Sequence, residues 1–167
     1  VIINKFYNLK FLLLFMKKDV ASLANRMVLK LKPYCHRIKI AGSIRRHKEN
    51  PKDIDIVLIP KSKNLVEADM FKLGKKVQGG EHESTWKINN IKVELYYTDE
   101  DEWGAELLAY SSEKGAGIGL RIVAKRKGFK LSQHGLFDLK TKKRIAGKSE
   151  TEIYEALGRK WKPAEER

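Results

Sequence analysis

The chain of 167 residues is long enough for one ordinary domain or two small ones, each able to bury a real core. Lysine and arginine number 35 against 21 acidic residues, a formal net charge of +14, which points to a polyanionic partner without separating DNA from RNA or a membrane surface. The single cysteine, Cys35, excludes an internal disulfide framework and a cysteine zinc site, and fits a reducing compartment.

Residues 1–15 contain the apolar run Phe11-Leu12-Leu13-Leu14-Phe15, far shorter than the roughly 18 residues that suggest a membrane span. No small-residue cleavage site follows it, so neither a membrane anchor nor secretion is expected. Met16 followed by Lys17-Lys18 suggests that residues 1–15 are an extension of the reading frame or a poorly ordered segment, the alternative being a short element packed on the domain. Asp19 can cap a helix in which Val20, Leu23, Ala24, Met27, Val28 and Leu31 fall at helical spacing, and Pro33 closes it.

Arg37-Ile38-Lys39-Ile40 alternates polar and apolar residues like a half-buried strand and runs into Ala41-Gly42-Ser43. Gly42 lets the backbone approach a ligand closely. A short helix starting near Ser43 would aim its free N–H groups and hydroxyl at an anion, with Arg45 and Arg46 adding positive charge. After the Asn50-Pro51 turn signal, Asp53 to Ile59 reads as a second strand. Residues two apart on a strand share a face, so Asp53 and Asp55 present their carboxylates together. Such a pair beside a phosphate cradle suits a hard cation such as magnesium. Either motif alone is weak, since most Gly-Ser pairs are only turns and most Asp-x-Asp pairs are solvated strand ends.

Glu67 to Lys75 is a modest helix candidate before Gly79-Gly80. Ser84 to Ile88 and Ile91 to Tyr97 read as strands joined by the tight-turn pair Asn89-Asn90. Glu94 lies inside the second, where a carboxylate is costly unless paired; from the residues alone, an ion pair with Lys or Arg is favoured over metal ligation. Trp103 to Tyr110 can form a short helix, and Gly115-Ala116-Gly117-Ile118-Gly119 precedes a basic helical stretch to Lys127. These glycines follow no strand and fall inside a helical pattern, which argues against a dinucleotide fingerprint. Ser149 with Glu152 forms a capping box, Ile153 and Leu157 give the apolar face, and Gly158 stops the helix.

The order Gly42-Ser43, short helix, Asp53-Ile54-Asp55 resembles the nucleotidyltransferase superfamily, and with Arg45 and Arg46 it is most similar to the family X DNA polymerases, the DNA polymerase beta group. Gly128-Phe129-Lys130-Leu131-Ser132-Gln133-His134-Gly135-Leu136-Phe137 resembles that family's Gly-aromatic-x-Leu-Asn-x-Tyr-Gly-Leu-Phe strand, with Ser132 and His134 as departures. Lys92-Val93-Glu94-Leu95 is similar to the setting of its third catalytic carboxylate, normally aspartate.

The resemblance implies an α+β fold: a nucleotidyltransferase palm with a mixed sheet flanked by helices over 16–103, then a small α+β subdomain over 104–167 that contacts the nascent base pair and template. It implies two Mg2+ ions, with Mn2+ able to substitute, held by Asp53, Asp55 and Glu94. Gly42, Ser43, Arg46 and Lys52 would hold the triphosphate, and Tyr110, Ser111 and Ser112 would lie near the incoming sugar. Lys92 would contact the primer phosphate, Arg121 the templating side or minor groove, and His134 the template strand. For Arg121 a solvated helix charge is an even alternative, and for His134 plain packing remains open. The expected activity is templated addition of deoxynucleotides to a primer 3′ hydroxyl, in gap filling during DNA repair.

Primer-template or gapped DNA and deoxynucleoside triphosphates are the expected partners, and the expected state is a monomer located in the cytoplasm or wherever the host DNA resides. Only one convincing helix precedes Gly42, so a separate amino-terminal lyase domain is not expected. Two rival readings remain. One is a template-independent or RNA-directed nucleotidyltransferase, against which the Gly128 to Phe137 stretch argues. The other is a catalytically weak nucleic-acid-binding module.

Overall fold

A computed structural model describes residues 20–167; the apolar run, the Met16 start and the Asp19 cap all lie outside the described residues, as does any question of a preceding domain. Helix α1 runs to residue 31 from the first described position. Its residues Val20, Leu23, Ala24, Met27 and Leu31 are buried at the spacing of one helical face. A 3-10 turn over Lys32–Tyr34 follows, with Pro33 in its first positions.

The next elements are β1 (Cys35–Ile40), α2 (Gly42–Arg45), β2 (Asp53–Pro60), α3 (Lys63–Phe71), β3 (Lys75–Gly79), β4 (Glu83–Ile88) and β5 (Ile91–Tyr97). The five strands form one sheet in the order β1-β2-β5-β4-β3. Among the described residues, only the β2–β5 pair of this sheet is parallel. Asn89 and Asn90 both take positive φ, 49° and 64°, as a tight two-residue hairpin requires.

On β2 the alternation is strict at its start. Ile54, Ile56 and Leu58 join α1, Val66 and Met70 of α3, and Trp86 in the main core. The opposite face carries Asp53 and Asp55, and beyond them Val57 and Ile59 pack with Tyr96, Trp103 and Leu107.

Trp103 opens α4 (Trp103–Ser111), followed by α5 (Lys114–Arg126), β6 (Phe129–Ser132), β7 (Gly135–Asp138), β8 (Arg144–Ala146) and α6 (Glu150–Ala156). Strands β6-β7-β8 form a second, antiparallel sheet. Its core gathers Leu136, Ala146, Ile153 and Leu157 with Ala105 and Leu108 from the other side of α4. Helix α4 therefore belongs to both cores. Gly104 permits this close docking: a Cβ there would lie 2.2 Å from the Ser149 carbonyl carbon at the start of α6.

A buried ion cluster locks the junction. Arg45 of α2 donates through both terminal nitrogens to Glu150, each at 2.8 Å, and Arg167 donates to the same carboxylate at 2.7 Å. Burial pushes the Glu150 carboxyl up, but the hydrogen bonds and charges of Arg167 and Arg45 outweigh it and hold the group down at about 2.

The architecture is the expected α+β arrangement, with local corrections. Helix α3 begins at Lys63, because Ser62 caps it by accepting from Leu65 N, and it ends at Phe71, so the helix expected over 67–75 sits too late. Residues 75–79 instead form edge strand β3, which the lysine-rich Lys75-Lys76 pair concealed. Gly128 to Phe137 is a hairpin rather than one strand, turning at Gln133 and His134. The Ser149 hydroxyl accepts from Glu152 N as expected, while the Glu152 carboxylate reaches past Ser149 to accept from Gly147 N and Lys148 N.

Candidate active site

Parallel pairing of β2 with β5 sets the acidic residues side by side. Asp53 lies opposite Lys92 and Asp55 opposite Glu94. All four side chains leave the same face of the sheet, at the strand starts, before α4 covers it. Lys92 Nζ is 2.9 Å from Glu94 Oε1, so the ion pair favoured from the residues alone is present. Tyr96, two residues further on that face, donates its hydroxyl to Asp55 Oδ1 at 3.3 Å. The same alternation that aligned Asp53 with Asp55 could have pointed to Tyr96, which sequence reasoning missed. Burial, then the charges of Asp53 and Glu94, push the Asp55 carboxyl up to about 6.

The turn after β1 is pinned to this edge. Ala41 N donates to Asp55 O at 2.8 Å, and Gly42 has φ +60°. A Cβ on Gly42 would stand 1.8 Å from Asp55 Oδ2, so only glycine fits between cradle and carboxylate. The Ser43 hydroxyl oxygen is buried without a hydrogen-bond partner, and so is Arg46 Nε, whose nearest carboxylate is Glu113 at 4.0 Å. Buried donors left over in this way mark a place where a ligand's oxygens belong. Arg45, expected to add charge to the cradle, is spent on Glu150 and on the Ser111 hydroxyl at 2.8 Å. Lys52 is exposed on the approach to β2.

The remaining site residues fall into four groups. Tyr110 stacks on Tyr96 with ring centroids 3.6 Å apart, which brings it next to the carboxylates. Ser111 is fully buried, its hydroxyl held by Arg45 and its carbonyl accepting from Arg46, so it props the cradle from beneath. Ser112 and Arg121 line a cleft of about 300 Å³ between α4, α5 and β6, together with Ser132. His134 does not line that cleft; its Nδ1 is 2.8 Å from Glu102 Oε2.

Asp53, Asp55 and Glu94 are an all-oxygen donor set, as hard divalent cations require. Burial first, and its two acidic neighbours second, raise the Asp55 carboxyl, and the buried Ser43 hydroxyl has no hydrogen-bond partner. The donor set present fits a hard divalent cation. Among the described residues, the ligand side chains that converge within 4.8 Å are a different trio, Glu102, Glu106 and His134. Glu94 would have to leave Lys92 to join Asp53 and Asp55. The other carboxylates near it in sequence are engaged elsewhere: Asp99 accepts from Asp101 N and Glu102 N, and Glu100 pairs with Arg37 at 3.0 Å.

Comparison with known proteins points the same way. The family model described as DNA polymerase beta thumb matches residues 107–167. The chain is 27% identical over 158 residues to Repair DNA polymerase X of African swine fever virus, in a tick isolate from South Africa and a warthog isolate from Namibia, covering 85% of this chain and 90% of each relative. A thumb match of that type after the Gly-Ser and Asp-x-Asp motifs, with the likeness to the viral repair polymerases, supports a family X DNA polymerase of the DNA polymerase beta group.

Proposed function

We propose that this protein is a DNA-directed DNA polymerase that extends a primer 3′ hydroxyl by one templated deoxynucleotide at a time, filling gaps in DNA repair. The observation that carries the reading is the register of Asp55 against Glu94 across the parallel pair, beside the unpartnered Ser43 hydroxyl. The viral relatives, both named as repair polymerases, support it.

In this reading Asp53, Asp55 and Glu94 hold two magnesium ions. When bound, magnesium supplies positive charge that polarises the triphosphate and lowers the cost of an ionised 3′ oxygen. Ser43 Oγ, the free Nε of Arg46 and Lys52 bind the triphosphate, and Gly42 brings the backbone against it. Lys92, released from Glu94, meets the primer phosphate, while a Glu94 carboxylate oxygen takes the proton of the primer hydroxyl as the hydroxyl oxygen bonds the α-phosphorus and pyrophosphate leaves. Tyr110 and Ser112 border the sugar, and Arg121 reaches from the cleft to the templating side. The exposed Lys114, Lys125, Arg126, Lys127 and Lys130 around α5 give the duplex a basic bed.

Incubation with a gapped duplex, the four deoxynucleoside triphosphates and magnesium tests the reading. Templated addition is expected. Untemplated or RNA-directed addition would instead identify a different nucleotidyltransferase, and no addition a binding module.

A further inference from the structure

The convergent trio lies outside the polymerase donor set. Glu102 stands at the start of α4, Glu106 one turn along it, and His134 at the tip of the β6–β7 hairpin. One ligand atom from each falls within 4.8 Å of the other two. An acidic pair with a histidine is common without any ligand, so the decisive feature is Glu106. This residue is 3% exposed, and its Oε2 has no hydrogen-bond partner. Glu102 is already shared between His134 and Arg144, whose Nη2 donates to Oε1 at 2.9 Å. A buried carboxylate oxygen left bare beside a second carboxylate and an imidazole lacks a positive partner.

We propose that Glu102, Glu106 and His134 form a second metal site that takes a zinc-class dication. One imidazole and two carboxylates are a borderline donor set that suits zinc better than magnesium, which prefers oxygen alone. Three protein ligands leave a fourth position open to water. The ion would staple the hairpin tip to the start of α4, the helix shared by both cores, and so stiffen the joint between the palm and the terminal subdomain.

The test titrates Zn2+ alone into chelator-stripped full-length protein carrying Asp53→Asn and Asp55→Asn, which removes the polymerase ligands. Calorimetry should give one bound equivalent and the melting temperature should rise. On that background Glu106→Gln and His134→Ala should each weaken binding by at least about tenfold. Glu106→Gln keeps the shape of the side chain; should either variant fail to fold, Glu102→Gln reads the same site from its more exposed edge. Absence of binding in the parent, or binding in the folded variants equal to that of the parent, would overturn the site.

Discussion

The Tyr96 hydroxyl donates to Asp55 Oδ1 at 3.3 Å, while the other oxygen of that carboxylate presses against Gly42. Asp55 is thus oriented from both sides by protein groups. The tyrosine bond favours the charged carboxylate, so Tyr96→Phe should move the Asp55 titration in metal-free protein upward from about 6, by an amount worth ~1 kcal/mol. Carboxyl NMR titration of both proteins measures it. An unchanged or lowered titration would mean that the bond does not form in solution.

Gly42 makes a sharper case. Alanine there would meet Asp55 Oδ2 at 1.8 Å and carry a φ of +60° that L residues rarely adopt. Gly42→Ala should cost roughly 1–3 kcal/mol of stability and nearly all nucleotide incorporation. A thermal melt with a primer-extension assay checks both, and an active, equally stable variant would contradict the packing.

Acid should loosen the joint between the two cores. The Glu150 carboxyl lies below its ordinary value in the folded protein, so its contribution is complete above about pH 4.5 and is lost as pH falls toward 2. Near neutrality Glu150→Gln should destabilise by about 3 kcal/mol, since Arg45 and Arg167 are left without their carboxylate. The gap between wild type and variant should shrink steadily below pH 4.5 in urea melts. A gap independent of pH would remove the cluster from the stability account.

Binding to a gapped duplex should be dominated by charge. With 35 lysines and arginines and an exposed basic rim on α5, log affinity should fall linearly and steeply with log salt. Exchanging Lys125 and Lys127 for alanine should make that slope shallower by about one or two phosphate contacts. Fluorescence anisotropy across a salt series decides it, a flat dependence being the contrary result.

Local rules carried much of this fold. Period-two alternation placed Asp53 with Asp55, the Asn89-Asn90 turn fixed the β4–β5 hairpin, and Gly42 marked the tight approach. Long-range pairing was not legible in the same way. That Glu94 stands beside Asp55 depends on β5 crossing over to lie parallel to β2, which the family resemblance implied and no local pattern could. Arg45 looked like its neighbour Arg46, yet its partner is Glu150, far along the chain on another element. The meeting of Glu102 and Glu106 with His134 likewise needs the β6–β7 hairpin to fold back over α4, whereas the sequence leaves His134 between a template contact and plain packing. Strand β3 was missed because lysines at a sheet edge look like a loop.

Glu94 decides whether the acidic edge is a catalytic centre or an ordinary ion pair, because its carboxylate now rests 2.9 Å from Lys92. The most direct measurement is single-nucleotide incorporation on a gapped duplex by wild type and Glu94→Gln, with melting temperatures alongside. A catalytic role predicts a loss of about a hundredfold or more in kcat, little change in nucleotide KM, and a folded variant. Near wild-type kcat in Glu94→Gln would show that the glutamate only partners Lys92, and would contradict the three-carboxylate site.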